Sequence, residues 1–207
     1  MKESSQINYF YNNSSSPADF ARQYFDYLNK VLNKIDDKSL NKLFKEFEDA
    51  RSKGKTIFVL GNGGSSTTAT TMANDIGFDI IKKTGIDKPF KIHALTDNNA
   101  VITAISNDIG YEEVFLNQLK IHYRKGDKIL LISASGNSEN LILAAKWVKK
   151  QKGKIISFLG FDGGKLKKIS DLNIHIDTNN GEYGPVEDCH LIINHVMAHW
   201  FQMYLKK

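Results

Sequence analysis

From Gly54 onward the chain repeats one texture: a short apolar run closed by small polar residues, then a longer stretch at helical spacing. The runs occupy 56–60, 92–95, 129–132, 155–159 and, less strongly, 172–176. Helical stretches lie between and after them, near 66–83, 98–107, 111–123, 138–152, 164–170 and 186–205. Strands separated by helices are reached by crossovers rather than hairpins, so they pair in parallel and are covered on both faces. The expected fold class is α/β, a doubly wound five-stranded parallel sheet. Ligands in such sheets bind beyond the carboxyl ends of the strands, so the residues that close each run are where chemistry is expected.

Residues 1–16 are rich in Ser and Asn with few aliphatics, and are expected to be a flexible tail. Pro17 suits a first helical position, with Ser14, Ser15 and Ser16 supplying capping hydroxyls before it. Phe20, Tyr24, Leu28, Val31, Leu32 and Ile35, then Leu40, Leu43, Phe44, Phe47 and Ala50, recur at helical spacing. Two amphipathic helices are therefore expected over 17–53. A chain of 207 residues can bury one core without staples, and no repeat or Pro-rich linker divides it. Residues 17–207 are read as a single domain.

Several function classes are excluded early. No stretch approaches the run of about 18 apolar residues that a membrane span needs. Cys189 is the single cysteine, so no intrachain disulfide forms. The first residues lack the apolar core of a secretory signal, and a cytoplasmic protein is expected. The net charge of +5 comes almost wholly from scattered lysines, with arginine only at 22, 51 and 124. Nucleic-acid readers concentrate arginine forks on one face, so this is a solvated surface and no nucleic-acid partner is expected.

The first run ends in Gly61-Asn62-Gly63-Gly64-Ser65-Ser66 at a helix start, where close backbone approach and free N–H groups favour an anion. It is not a dinucleotide fingerprint, because position 66 is serine and no acidic residue closes a strand about 20 residues on. Nor is it the phosphate loop of NTPases, which needs Gly-Lys-Ser/Thr. No nucleotide cofactor is expected. The third run ends in Ser133-Ala134-Ser135-Gly136-Asn137-Ser138, whose hydroxyls and helical N–H groups can hold a phosphate without a basic side chain. With Thr96-Asp97-Asn98 closing the second run, one polar crevice is expected. The last helix carries Glu187, Asp188, His190, His195 and His199; Glu187 and His195 share roughly one face, and His190 lies on another.

At these residues, from about 40 to 205, the chain resembles the sugar isomerase domain proteins, and within them the phosphoheptose isomerases. The Gly61-Asn62-Gly63-Gly64-Ser65 loop, the serine loop from 133 to 138 and Asn107-Asp108-Ile109-Gly110-Tyr111 carry the likeness as an ordered set. The resemblance implies a homotetramer with its active sites between subunits and the helices of 17–53 in a central bundle. It implies conversion of sedoheptulose 7-phosphate to D-glycero-D-manno-heptose 7-phosphate by proton transfer through an enediol. Asp75 and His195 fall at the acid–base positions. Asn62, Gly63, Gly64, Asp97, Asn98, Ser133, Ala134, Ser135, Ser138 and Glu187 fall at substrate-contacting positions. Many relatives hold zinc through a histidine at the position of Thr71, which leaves Asp75, Glu187 and His195 as the candidate metal set here. Asp75 is also a methylene shorter than the family's glutamate. The resemblance leaves a second reading open, a non-catalytic sugar-phosphate binder or a scaffold that engages the replication initiator.

Overall fold

The computed structural model describes residues 5–206. Three helices open the chain, α1 (Gln6–Asn13), α2 (Pro17–Leu32) and α3 (Asp37–Ser52). Five strands follow, β1 (Thr56–Gly61), β2 (Lys91–Ala94), β3 (Lys128–Ser133), β4 (Lys154–Gly160) and β5 (Leu172–Ile176). Between β1 and β2 lie α4 (Gly64–Met72), a π-helical segment (Ala73–Asp79) and α5 (Ile80–Thr84). The β2–β3 crossover holds α6 (Asn99–Asp108), a single 3-10 turn (Tyr111–Glu113) and α7 (Val114–His122). Then come α8 (Glu139–Lys150), α9 (Gly164–Ile169) and the long α10 (Tyr183–Tyr204).

All strand pairs are parallel and the order is β2-β1-β3-β4-β5. The chain leaves β1 toward one edge and returns to β3 on its other side, so the topological switch point lies between the carboxyl ends of β1 and β3. The two polar loops of the sequence stand there. Every residue of β3 is buried, because alternate side chains enter two different cores. Leu130 and Ile132 join Ile57, Val59, Ile156 and Phe158 against α3, α4 and α10. Ile129 and Leu131 join Phe58, Leu60, Ile155 and Leu159 against α7 and α8. At the opposite rim Lys128, 4% exposed, pairs with Glu46 at 2.6 Å and Asp49 at 2.9 Å. That cluster fixes α3 against the start of the central strand.

Two expectations are corrected. The segment 1–16 is not a uniform tail: its first four residues lie outside the described ones, but Gln6–Asn13 is α1. Phe10 is buried with its ring edge-on to Tyr27 at 5.6 Å. Buried Glu182 accepts from the Gln6 N–H at 2.6 Å, the Ser5 hydroxyl at 3.2 Å and the Tyr27 hydroxyl at 2.7 Å. One apolar anchor and one distant carboxylate thus order a polar segment. The stretch 66–83 is also not one regular helix, since Ala73–Asp79 opens into π geometry. Such wide turns recur at functional sites, and this one carries Asp75.

Candidate active site

The β1 loop begins with backbone that only glycine can supply. Gly63 lies at φ +54, and a Cβ on Gly64 would fall 2.3 Å from the Glu187 carboxylate, which packs directly over it. Gly61 is equally constrained, since a Cβ there would meet the Ser65 backbone at 2.6 Å. Asn62 is clamped by paired amide bonds with buried Asn140 of α8, at 3.0 and 2.9 Å, and by the Tyr111 hydroxyl at 2.8 Å. The β1 loop is thereby tied to the helix that follows β3.

In the serine loop, the Ser133 hydroxyl accepts from the Gly136 N–H at 3.1 Å and the Ser135 hydroxyl from the Asn137 N–H at 3.3 Å. Ala134 is buried and its carbonyl accepts from the Gly160 N–H at 3.0 Å, locking the loop to β4. Ser138 precedes α8 without spending its side chain on a cap, and α4 likewise starts without a side-chain cap. The start of α8 in this state offers N–H groups to an anion, whereas in α4 the Ser65 and Ser66 N–H groups donate to the Asn62 and Gly63 carbonyls at 3.0 and 2.9 Å. Ser135 and Asn137 border a polar cavity of about 830 Å³ that reaches Tyr27, Asp162 and Asp177.

Asp97 closes β2 with its Oδ1 accepting from the Thr70 hydroxyl at 2.6 Å, a bond that ties it to α4. Asn98, expected from the resemblance at a substrate-contacting position, stands at the start of α6. Its side chain caps α6 by accepting from the Val101 N–H at 3.1 Å.

Asp75, in the β1–β2 crossover, and His195, on the last helix, are brought together, with His195 Nε2 3.6 Å from Asp75 Oδ2. His195 is half exposed and Asp75 one-fifth exposed, so both are open to a ligand. Asn194 Nδ2 donates to the same Asp75 oxygen at 2.8 Å. Burial, and secondly the neighbouring Asp188 carboxylate, raise Glu187 above the ordinary carboxylate range. Among the described residues no three of His, Cys, Asp and Glu are gathered to hold a metal. Of the candidate zinc set, Glu187 packs over Gly64 and Asp75 Oδ2 accepts from the Asn194 amide.

Two other titratable groups of α10, Cys189 and His190, face inward. Burial pushes the Cys189 thiol up to about 12, which disqualifies it as a thiolate nucleophile. His190 is fully buried, with Nε2 against the Leu159 carbonyl at 3.3 Å. Burial pushes its imidazole down to about 4, against partial support from that carbonyl. Unfolded, it returns to about 6.5. Between those values the unfolded chain binds the additional proton, so stability falls as pH drops from about 6.5 toward about 4, by roughly 3 kcal/mol in all. Urea unfolding at pH 7 and pH 5 is expected to show about 2 kcal/mol of this loss in the native sequence and its absence in His190→Leu. Equal losses in the two proteins would rule out this origin.

A family profile described as SIS domain matches residues 23–160. The chain belongs to the SIS domain family. Among relatives of this SIS domain, the phosphoheptose isomerase of Leptospira biflexa is 36% identical over 144 residues, covering 69% of this chain and 71% of that protein. That of Chlorobium phaeobacteroides is 34% identical over 145 residues, covering 70% of this chain and 63% of the relative's length. The solved structure of phosphoheptose isomerase GmhA from Neisseria gonorrhoeae superposes with a TM-score of 0.79 at 25% identity, covering 91% of this chain and 100% of that one. The five-stranded parallel sheet with N-terminal helices is thus an SIS-type fold. No helix among the described residues is long and apolar enough to cross a membrane.

The structure brings together Asp75 and His195, both singled out in the sequence, and joins to the site Asn140 and Asn194, which were not. Each is an amide inside an apolar helical pattern, and a polar residue on a buried face was the available signal.

Proposed function

We propose that this SIS domain is an aldose–ketose isomerase that converts sedoheptulose 7-phosphate to D-glycero-D-manno-heptose 7-phosphate. The observation that carries the reading is the Asp75–His195 pair at 3.6 Å, open to solvent in a fold whose switch point is lined by glycines and hydroxyls. The names of the relatives support the substrate class.

The chemistry moves two protons and no net electrons. One is taken from C1 of the ketose as O2 gains one, which forms the enediol; C2 is then protonated as the hydroxyl on C1 gives up its proton and becomes the aldehyde. Groups that serve adjacent carbons must stand a few ångströms apart, and a carboxylate beside an imidazole meets that need. The phosphate is assigned to the serine loop, with Ser133, Ala134, Ser135 and Ser138 supplying hydroxyls and close backbone. The hydroxyl-bearing chain is assigned to Asn62, Gly63, Gly64, Asp97, Asn98 and Glu187. Asn98 would take part through its side-chain NH2, since its Oδ1 caps α6. A fixed donor set of this kind favours one length of polyol, because an unpaired buried donor is costly.

A homotetramer belongs to the same proposal. Val196, Trp200 and Met203 on α10 and Phe78 on the π-helical segment are all more than half exposed, and a second copy of the chain would cover them.

Purified protein incubated with sedoheptulose 7-phosphate is expected to yield the aldose phosphate, and light scattering of that preparation to give four chains. Absence of product at high protein concentration, with and without added zinc, would defeat the enzymatic reading. A ligand-induced rise in melting temperature with the sugar recovered intact would instead mark a binding protein.

A further inference from the structure

Asn194 is fully buried, one residue before His195, and has no step in the reaction as set out above. Its Nδ2 donates to Asp75 Oδ2, while its own Oδ1 is buried without a partner. The reverse amide orientation would aim a carbonyl at a carboxylate, so the donor must face Asp75. A buried amide with half of its capacity unpaired is a poor device for stability. Leucine would fill nearly the same space and bury no unpaired oxygen. What the amide provides is a hold on the acid. Asp75 sits in the π-helical segment, and its other oxygen, Oδ1, accepts from Asn74 Nδ2 at 3.1 Å in an exposed contact between chain neighbours. An exposed bond of that kind exchanges readily with a ligand.

We infer that Asn194 is a positioning residue that pins Asp75 by one oxygen beside His195 and leaves Oδ1 to exchange a proton with the substrate. The inference rests on the isomerase reading and deepens it. The two oxygens of Asp75 then have separate duties, Oδ2 structural and Oδ1 chemical. Losing the pin frees the carboxylate to rotate, and a misplacement of about 1 Å at a reacting group costs on the order of 100-fold in rate.

The test is Asn194→Leu, assayed on sedoheptulose 7-phosphate. A fall in kcat of about 10- to 100-fold is expected, with KM within about twofold of the native value and a melting temperature unchanged or raised. A residue that merely packs would show the opposite pattern, a lowered melting temperature and an intact kcat. Asn194→Ala supplies a second variant: it leaves a small cavity and loses stability, yet is expected to show the same loss of kcat at unchanged KM. A crystal structure of either variant reads the positioning itself, with Asp75 expected in another rotamer and its contact with His195 lost. Unchanged kcat in a folded variant, or an Asp75 side chain that stays in place, would overturn the inference. Should the native protein isomerise no ketose phosphate, the isomerase reading fails by itself, and the crystal geometry still decides whether Asn194 holds Asp75.

Discussion

His195→Ala is expected to lower kcat/KM on the ketose phosphate by about 10² to 10⁴-fold, the range associated with a positioned acid–base group. Its melting temperature should barely move. The imidazole is half exposed, and its contact with Asp75 is a partly solvated pair at 3.6 Å. Such pairs contribute about 1 kcal/mol or less. Asp75→Asn removes the proton acceptor while keeping the side chain's shape, and a loss of similar size is expected. The two losses should not multiply in the double variant, because both groups serve one proton-transfer sequence. A His195→Ala protein that turns over at the native rate would remove the pair from the mechanism.

Gly136→Ala is expected to have the largest effect on stability of any single methyl in the serine loop. Gly136 lies at φ +62, and a Cβ there would fall 2.0 Å from the Gly163 carbonyl oxygen. That oxygen is backbone, held by the turn after β4, so it cannot yield as a flexible side chain would. The left-handed conformation alone costs an L-residue roughly 1–2 kcal/mol. With the overlap the total is about 3–5 kcal/mol, or a fall of about 10 °C in melting temperature for a chain of this size. Gly54→Ala is the control, since Gly54 has nearly the same φ of +63 and open space where the methyl would go. The difference between the variants measures the contact of the serine loop with the Gly163 turn. Equal losses would show that the loop is not packed there.

The sheet was legible because its central strands, β1 and β3, are apolar runs ended by a glycine and a serine. Two opposed cores demand that pattern: Ile129 and Leu131 serve one, Leu130 and Ile132 the other. What escaped depends on partners far away in the chain. Helix α1 has one buried residue, Phe10, and its first N–H is received by a carboxylate 176 residues later. Nothing local announces that bond. The π-helical opening at Ala73–Asp79 was hidden for a different reason, since its buried positions Met72, Ile76 and Ile80 recur every fourth residue as in a regular helix. Asn98 was ambiguous by nature, because a side-chain oxygen ahead of a helix serves a cap and a ligand equally well.

The division between the two rims of the sheet has an evolutionary consequence. The central strand β3, buried at every position and clamped at its start by Lys128, Glu46 and Asp49, holds its shape without help from the turns at the far end. Positions in those turns that are not packed as Gly136 is can therefore be rewritten with little risk to folding. A lineage could trade one sugar for another by changing a few residues after β2 or β3, and inherit the scaffold intact.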